Sequence, residues 1–132
     1  MKRVYRCPHC RAILNPCIKL ILKAQLRDHL GLFVFSPQPG NYEVAIPDDF
    51  PVRKGDMVNF FCPVCSADLT SAHDQAFAEI NVTTGSHMAA VVFSKTFGRY
   101  ATYFITRQDV KSYGKHASPA TINFWGEGPE RQ

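Results

Sequence analysis

The sequence predicts a mainly β protein, a single compact domain in which two pseudo-symmetric β repeats are joined through four cysteines. Three observations carry that prediction. Residues 7–14, CPHCRAIL, and residues 62–69, CPVCSADL, share the pattern C-P-x-C-x-A-x-L. Residues 33–46, FVFSPQPGNYEVAI, align with residues 91–104, VVFSKTFGRYATYF, through Val34, Phe35, Ser36, Gly40 and Tyr42 against Val92, Phe93, Ser94, Gly98 and Tyr100. The blocks keep their order at offsets of 55 and then 58 residues, which a three-residue indel accounts for. Finally, the apolar residues around them fall in short runs of β-branched and aromatic type, bounded by Gly and Pro.

The two copies run over about 1–46 and 57–113. Between them a linker at 47–56 carries Pro47, Pro51 and Gly55, the punctuation of a turn-rich connection. Its Asp48, Asp49 and Asp56 read as turn residues, because Asp bonds readily to its own nearby backbone. A C-terminal tail at 114–132 is polar and glycine-rich apart from Phe124 and Trp125, which are available to dock on the body.

Each copy should open with a short strand, RVYR (3–6) or MVNFF (57–61), running into its CxxC turn. The next segment, CIKLILKAQLRDHLG (17–31), fits two templates. As a helix it has Asn15 for an N-cap, Pro16 in the first turn and Gly31 as a stop. As a strand it alternates Leu20, Leu22, Ala24 and Leu26 against Ile21, Lys23, Gln25 and Arg27. Its counterpart, FAEINVTTG (77–85), is a poor helix, so the strand is preferred. Lys19, Lys23 and Arg27 then share a solvated outer face. Leu32–Ser36 and AAVVFS (89–94) are apolar on both sides, as in a strand covered on two faces. After turns in which Gly40 and Gly98 supply φ > 0, YEVAI (42–46) and YATYFIT (100–106) continue as strands. GSHM (85–88) falls in the turn between two strands.

Composition limits the functions available. The chain has 132 residues, 45% hydrophobic, with 15 basic and 11 acidic residues for a formal charge of +4. The basic residues are scattered, which permits nucleic-acid contact without arguing for it. The first residues carry no apolar signal segment, and no apolar run approaches the roughly 20 residues that span a bilayer. A cytoplasmic location, with no membrane partner, is expected.

Five cysteines are present, and four form the two CxxC pairs. In a reducing compartment, thiols at this spacing read as metal ligands rather than disulfides. Cys7, Cys10, Cys62 and Cys65 are therefore the candidate metal ligands: two tight turns each present two thiolates, together the closed set of four sulfurs that a structural Zn²⁺ prefers. The 51 residues between Cys10 and Cys62 exceed the common spacing, but loop closure grows only logarithmically with length. Cys17 aligns near Ala72 and has no symmetric partner, so it is expected to be a small buried hydrophobe. His9 is replaced by Val64 in the second turn, against a ligand role. His29, His73, His87 and His116 lack metal spacing and read as turn and surface residues.

The two CPxC turns resemble the knuckles of a zinc ribbon, in which knuckles at the ends of hairpins clamp one metal. The resemblance covers the knuckles and adjoining strands, about a third of the chain, and implies one structural Zn²⁺ while leaving the biological role open. Many such knuckles carry Gly after the second cysteine, freeing backbone N–H groups to bond sulfur. Arg11 and Ser66 stand there instead, which weakens the expected knuckle geometry, and weakens a rubredoxin-like iron carrier more.

KTFGRYATY (95–103) is similar to the central strand of RNA-recognition motifs, but Thr96 and Arg99 miss expected positions, and the first copy has no such pattern. No nucleophile–base arrangement, phosphate-cradling loop or carboxylate dyad is visible, and four thiolates leave zinc no open position for substrate. The reading is a non-catalytic zinc-binding interaction or regulatory module, an adaptor for protein or nucleic acid. The alternatives are a rubredoxin-like electron carrier with four-cysteine iron, and a small-ligand binder or enzyme using a cleft between the repeats.

Overall fold

The computed structural model describes residues 3–117. Nine strands and no helix make up the described chain: β1 (Arg3–Arg6), β2 (Leu20–Leu26), β3 (His29–Phe35), β4 (Val44–Ala45), β5 (Asn59–Phe61), β6 (Phe77–Thr84), β7 (His87–Ser94), β8 (Thr102–Ile105) and β9 (Val110–Tyr113). They form two antiparallel sheets, ordered β1-β6-β7-β8-β9 and β4-β3-β2-β5. The fold is thus mainly β, a single compact domain. Phe124 and Trp125, the aromatics of the tail, lie outside the described residues. No helix long and apolar enough to cross a membrane occurs among those described.

The ambiguous segment is a strand. In β2, Leu20, Leu22, Ala24 and Leu26 are all buried while the residues between them are half-exposed. A period of two puts those four on one face, where apolar burial contributes roughly 25 cal/mol per Å². A helix over the same residues would scatter them around its axis. Lys23 is on the outer face of β2, but Lys19 precedes the strand and Arg27 sits in the turn, at φ 56.

The halves match position for position through their hairpins. Leu26 pairs with His29 and Thr84 with His87, leaving the two-residue turns Arg27-Asp28 and Gly85-Ser86. Val34 then pairs with Ala45, as Val92 pairs with Tyr103. Gly40 and Gly98, in the loops between these pairs, have φ of 86° and 88°, a region open to glycine at little cost. Gly85 and Ser86 form the turn while His87 and Met88 already belong to β7.

The two leading strands are exchanged. β1 pairs with β6, matching Arg3 with Thr84 through Arg6 with Asn81. β5 pairs with β2, matching Gln25 with Asn59 through Lys23 with Phe61. Each half therefore completes the sheet of the other. The chain beyond each knuckle continues the same edges: Ile21 N–H donates to Leu14 O at 2.9 Å, and Glu79 N–H to Leu69 O at 2.7 Å.

The main core draws on both sheets. Tyr5, Leu22, Phe33 and Phe60 are buried in one cluster with Ile80, Val82 and Val91. Its rings meet edge to face, Phe33 with Phe60 at 5.7 Å and 71°, and Phe35 with Phe60 at 5.6 Å and 68°, arrangements that suit the aromatic quadrupole. The linker at 47–56 also enters this core. Phe50 is buried with its ring edge-on to Phe33 at 5.0 Å and 77°. Gly31 admits it, since a Cβ there would stand 3.1 Å from Phe50 Cδ1 and 3.2 Å from Pro47 Cγ. The Asp56 carboxylate accepts from Arg53 N–H at 2.9 Å and closes the linker's turn.

Truncating Phe50 removes a buried ring that packs on Phe33 and over Gly31. Phe50→Ala should lower stability by about 3 kcal/mol or more, read from the urea midpoint at unchanged slope; a shift under about 1 kcal/mol would mean that the linker is only a tether.

Candidate metal centre

β1 ends at Arg6 and delivers Cys7 to the first knuckle, and β5 ends at Phe61 and delivers Cys62 to the second. The backbone then turns identically. Cys7 N–H donates to Ala12 O at 3.0 Å and Arg11 N–H returns to Cys7 O at 3.0 Å; Cys62 N–H donates to Ala67 O at 3.0 Å and Ser66 N–H to Cys62 O at 2.9 Å. Inside each loop, amides point at the first sulfur. His9 and Cys10 donate to Cys7 Sγ at 3.3 and 3.4 Å, and Val64 and Cys65 to Cys62 Sγ at 3.3 and 3.4 Å.

Arg11 and Ser66 adopt the glycine-like conformation despite their side chains, with φ of 68° and 64°. The expectation that these residues weaken the knuckle is therefore corrected. The hydrogen bonds closing each loop determine the backbone, and the strain of a left-handed residue, about 1–2 kcal/mol, is too small to undo them.

Because β1 and β5 are exchanged, the two knuckles meet. The sulfurs of Cys7, Cys10, Cys62 and Cys65 all lie within 4.8 Å of one another. Cys7 Sγ is 3.8 Å from Cys65 Sγ, and Cys10 Sγ is 3.7 Å from Cys62 Sγ. Four thiolates at about 2.3 Å from a tetrahedral ion have edges of about 3.8 Å, which these two separations match, so the cluster could hold a metal ion. Cys7 and Cys62 are fully buried at the root of the knuckles, and Cys10 and Cys65 are exposed at the tips.

The electrostatics of the thiols divide along the same line. Burial pushes the Cys7 thiol up, only partly offset by the Cys10 and His9 amides. Burial also opposes a charge on Cys62, but the amides of Cys65 and Val64 and the thiols of Cys10 and Cys65 outweigh it and bring Cys62 down to about 7. At Cys65 the Ala67 amide favours the thiolate, whereas desolvation and the three neighbouring sulfurs together push it up to about 12. Of Cys7, Cys62 and Cys65, Cys62 is thus the thiol whose surroundings favour the thiolate.

Supporting contacts surround the cluster. Asn15, expected as a helix cap, is buried instead: its Oδ1 accepts from Tyr5 N–H at 2.8 Å and its Nδ2 donates to Arg3 O at 2.9 Å, which holds the returning chain against β1. Lys23 Nζ donates to Ser66 Oγ at 2.7 Å, bridging β2 to the second knuckle. Arg6 Nη1 donates to Arg11 O at 3.0 Å across the first. Of these, the Lys23–Ser66 contact depends on the strand exchange, whereas those of Asn15 and Arg6 are made within the first knuckle and its flanks.

The remaining candidates stand apart. Cys17 is exposed, not the buried hydrophobe expected, because the bend between Leu14 and β2 gives its inward position to Asn15. None of the five histidines joins the sulfur cluster. His29 lies 3.6 Å from the Asp28 carboxylate in the hairpin turn, and His116 Nδ1 accepts from Tyr100 N–H at 2.9 Å. The segment similar to an RNA-contacting strand is mostly loop, with only Thr102 and Tyr103 in β8, and its Lys95 is buried. Lys95 Nζ donates to Asn59 Oδ1 at 2.8 Å and Thr70 Oγ1 at 2.9 Å. Compared with protein-family models, curated proteins and solved structures, the chain gives no match.

Arg11 is exposed and left-handed, so Arg11→Gly should relieve strain and stabilise the protein by about 1 kcal/mol, raising the thermal midpoint by a few degrees. An equal or larger loss of stability would show that the Arg11 side chain matters more than its backbone.

Proposed function

We propose that this protein is a non-catalytic interaction module built around one structural Zn²⁺, held by Cys7, Cys10, Cys62 and Cys65. The observation that carries the reading is the sulfur–sulfur separation of 3.7 and 3.8 Å between knuckles from opposite halves. Tetrahedral four-sulfur sites take zinc or iron, and zinc supplies a charge without a redox step. An ion here cross-links two turns 52 residues apart in the chain, from Cys10 to Cys62. Structural zinc contributes apparent binding energy of roughly 10–16 kcal/mol, comparable with or above the ~5–15 kcal/mol net stability of ordinary domains. Its role is then to fix the relative orientation of the halves. The matched hydrogen bonds of the knuckles support reading 1–46 and 57–113 as two copies of one unit.

The partner is a protein or a nucleic acid. Arg6, Arg11 and Lys23 lie beside the knuckles, and the formal charge of +4 favours an acidic surface or a phosphate backbone. Four thiolates fill the coordination sphere, so the metal offers substrate no open position. An iron-bearing electron carrier is the second reading, because the amide-to-sulfur bonds of both knuckles would serve iron equally.

Elemental analysis should find one zinc per chain in a colourless protein; a red protein containing iron would replace this reading by the second. Stripping the metal with a strong chelator, or substituting Cys62→Ser, should remove most of the stability. The sign of the pH dependence follows from the thiols: zinc must displace protons from Cys7 and Cys65, whose affinities for them are raised, so metal affinity climbs with pH. It should fall by about tenfold per unit of acidification for each proton displaced. For the partner, gel shifts and pull-downs from lysate should recover a complex above background, and a phosphate-bearing partner should be lost steeply as salt rises. Recovery of nothing by either method would remove the interaction reading.

A further inference from the structure

Between the sheets, where the loops at 36–43 and 95–101 come together, lies a cavity of about 190 Å³. Its walls are mostly apolar and rich in rings, with Phe33, Phe35, Phe60, Phe93 and Phe104 on several sides. Val44, Val58, Ile80 and Val91 fill the gaps between them. Protein interiors rarely keep voids larger than a water molecule, because lining atoms lose dispersion contacts outright. This space is open to solvent on one side, so its apolar walls face water and an apolar occupant would gain by covering them.

Polar groups around the space are already engaged. Tyr5 OH donates to Pro37 O at 2.6 Å, and Tyr42 OH is bonded to Thr102 Oγ1 at 2.8 Å and Tyr113 O at 3.1 Å. Burial raises both phenols above their usual value, Tyr5 to about 12, so they stay neutral. Lys95 reaches Asn59 and Thr70 instead. The buried polar side chains Tyr5 and Lys95 and the Tyr42 hydroxyl are thus spent, and the lining side chains Gln38 and Arg99 are exposed to solvent, so the ring-lined walls themselves offer nothing to match a charge or to hold a set of waters, which need two to four polar partners. Where a ligand's charge would be unpaired, a neutral ligand is favoured.

Size and shape narrow the class. An apolar cavity of about 150 Å³ in an unrelated protein stays dry and takes benzene. The wall rings stand at steep mutual angles, 53° for Phe60 with Phe93 and 59° for Phe35 with Phe93, and so offer both faces and edges to a flat guest. Tyr42 and Tyr100, from the two loops, stack at 4.7 Å and 18° beside the space. We propose that this inter-sheet cavity is a binding site for a neutral, ring-sized aromatic molecule, a substituted benzene or an indole. The proposal does not rest on the identity of the metal.

The test uses the full metal-loaded chain with toluene and indole as probes and benzoate as the charged control. Either neutral probe should bind saturably, raising the thermal midpoint and moving amide resonances at Phe33, Phe60, Val91 and Phe93, while benzoate leaves both unchanged. Val44→Phe, which places a ring in the space from a short edge strand, should weaken the probe by on the order of tenfold or more without lowering the midpoint of the free protein. Should that variant fail to fold, Val44→Ile tests the same direction with a smaller change. The proposal is overturned if neither neutral probe gives a saturable response, if benzoate binds as well as toluene, if the shifted resonances lie on the outer face at Leu30 and Leu32, or if the filled variant binds the probe unchanged.

Discussion

The exchange of β1 and β5 between the two halves is the constraint on which the rest of the structure depends. Had each leading strand paired with its own half, the knuckles would have stood at separate sheet edges with two sulfurs apiece. Crossing them brings four sulfurs into one tetrahedron and closes both sheets around a common core. It also places Tyr5 and Phe60, each two residues ahead of a knuckle's first cysteine, in the wall of the cavity. Metal site and cavity are thus two products of one pairing pattern, with short strands of three or four residues as the shared elements.

Much of this was legible in the sequence because it is encoded locally. The alternation of Leu20, Leu22, Ala24 and Leu26 predicts β2, Gly40 and Gly98 predict their loops, and the CPxC spacing predicts which thiols meet. What could not be read depends on partners remote in the chain. RVYR states that it is a strand but not which edge receives it, since register follows from the pairing of whole faces. Cys17 looks like a core residue by type, yet Asn15 takes the buried place because its amide can serve both Tyr5 N–H and Arg3 O. Phe50 lies in a segment whose prolines and aspartates suggest only a turn. Arg11 and Ser66 show that a missing glycine is weak grounds against a turn when several hydrogen bonds insist on it.

The halves are not equivalent everywhere, and the differences mark where the molecule departs from symmetry. Lys95 is buried where the first half has Pro37, and its ammonium is made less basic by burial, an effect that the charge of Asp68 only partly offsets. β9 extends the five-stranded sheet, and the four-stranded sheet has no counterpart to it among the described residues. The outer face of β7 and β8 buries Val92, Tyr103 and Ile105, whereas Leu30 and Leu32 on β3 remain open to solvent. Two similar stretches of sequence therefore carry different environments on their outer faces.

Strand exchange also bears on how the molecule is made. On the ribosome Arg3–Arg6 emerges long before Asn81–Thr84, so the N-terminal half spends much of translation with a bare sheet edge and only two of its thiols in place. Non-local pairing of this kind is slow to form and leaves apolar surface exposed in the meantime. Synthesis must pass the second CPxC turn before any ion can be fully enclosed, which makes completion of the chain, rather than its first half, the event that commits it to fold.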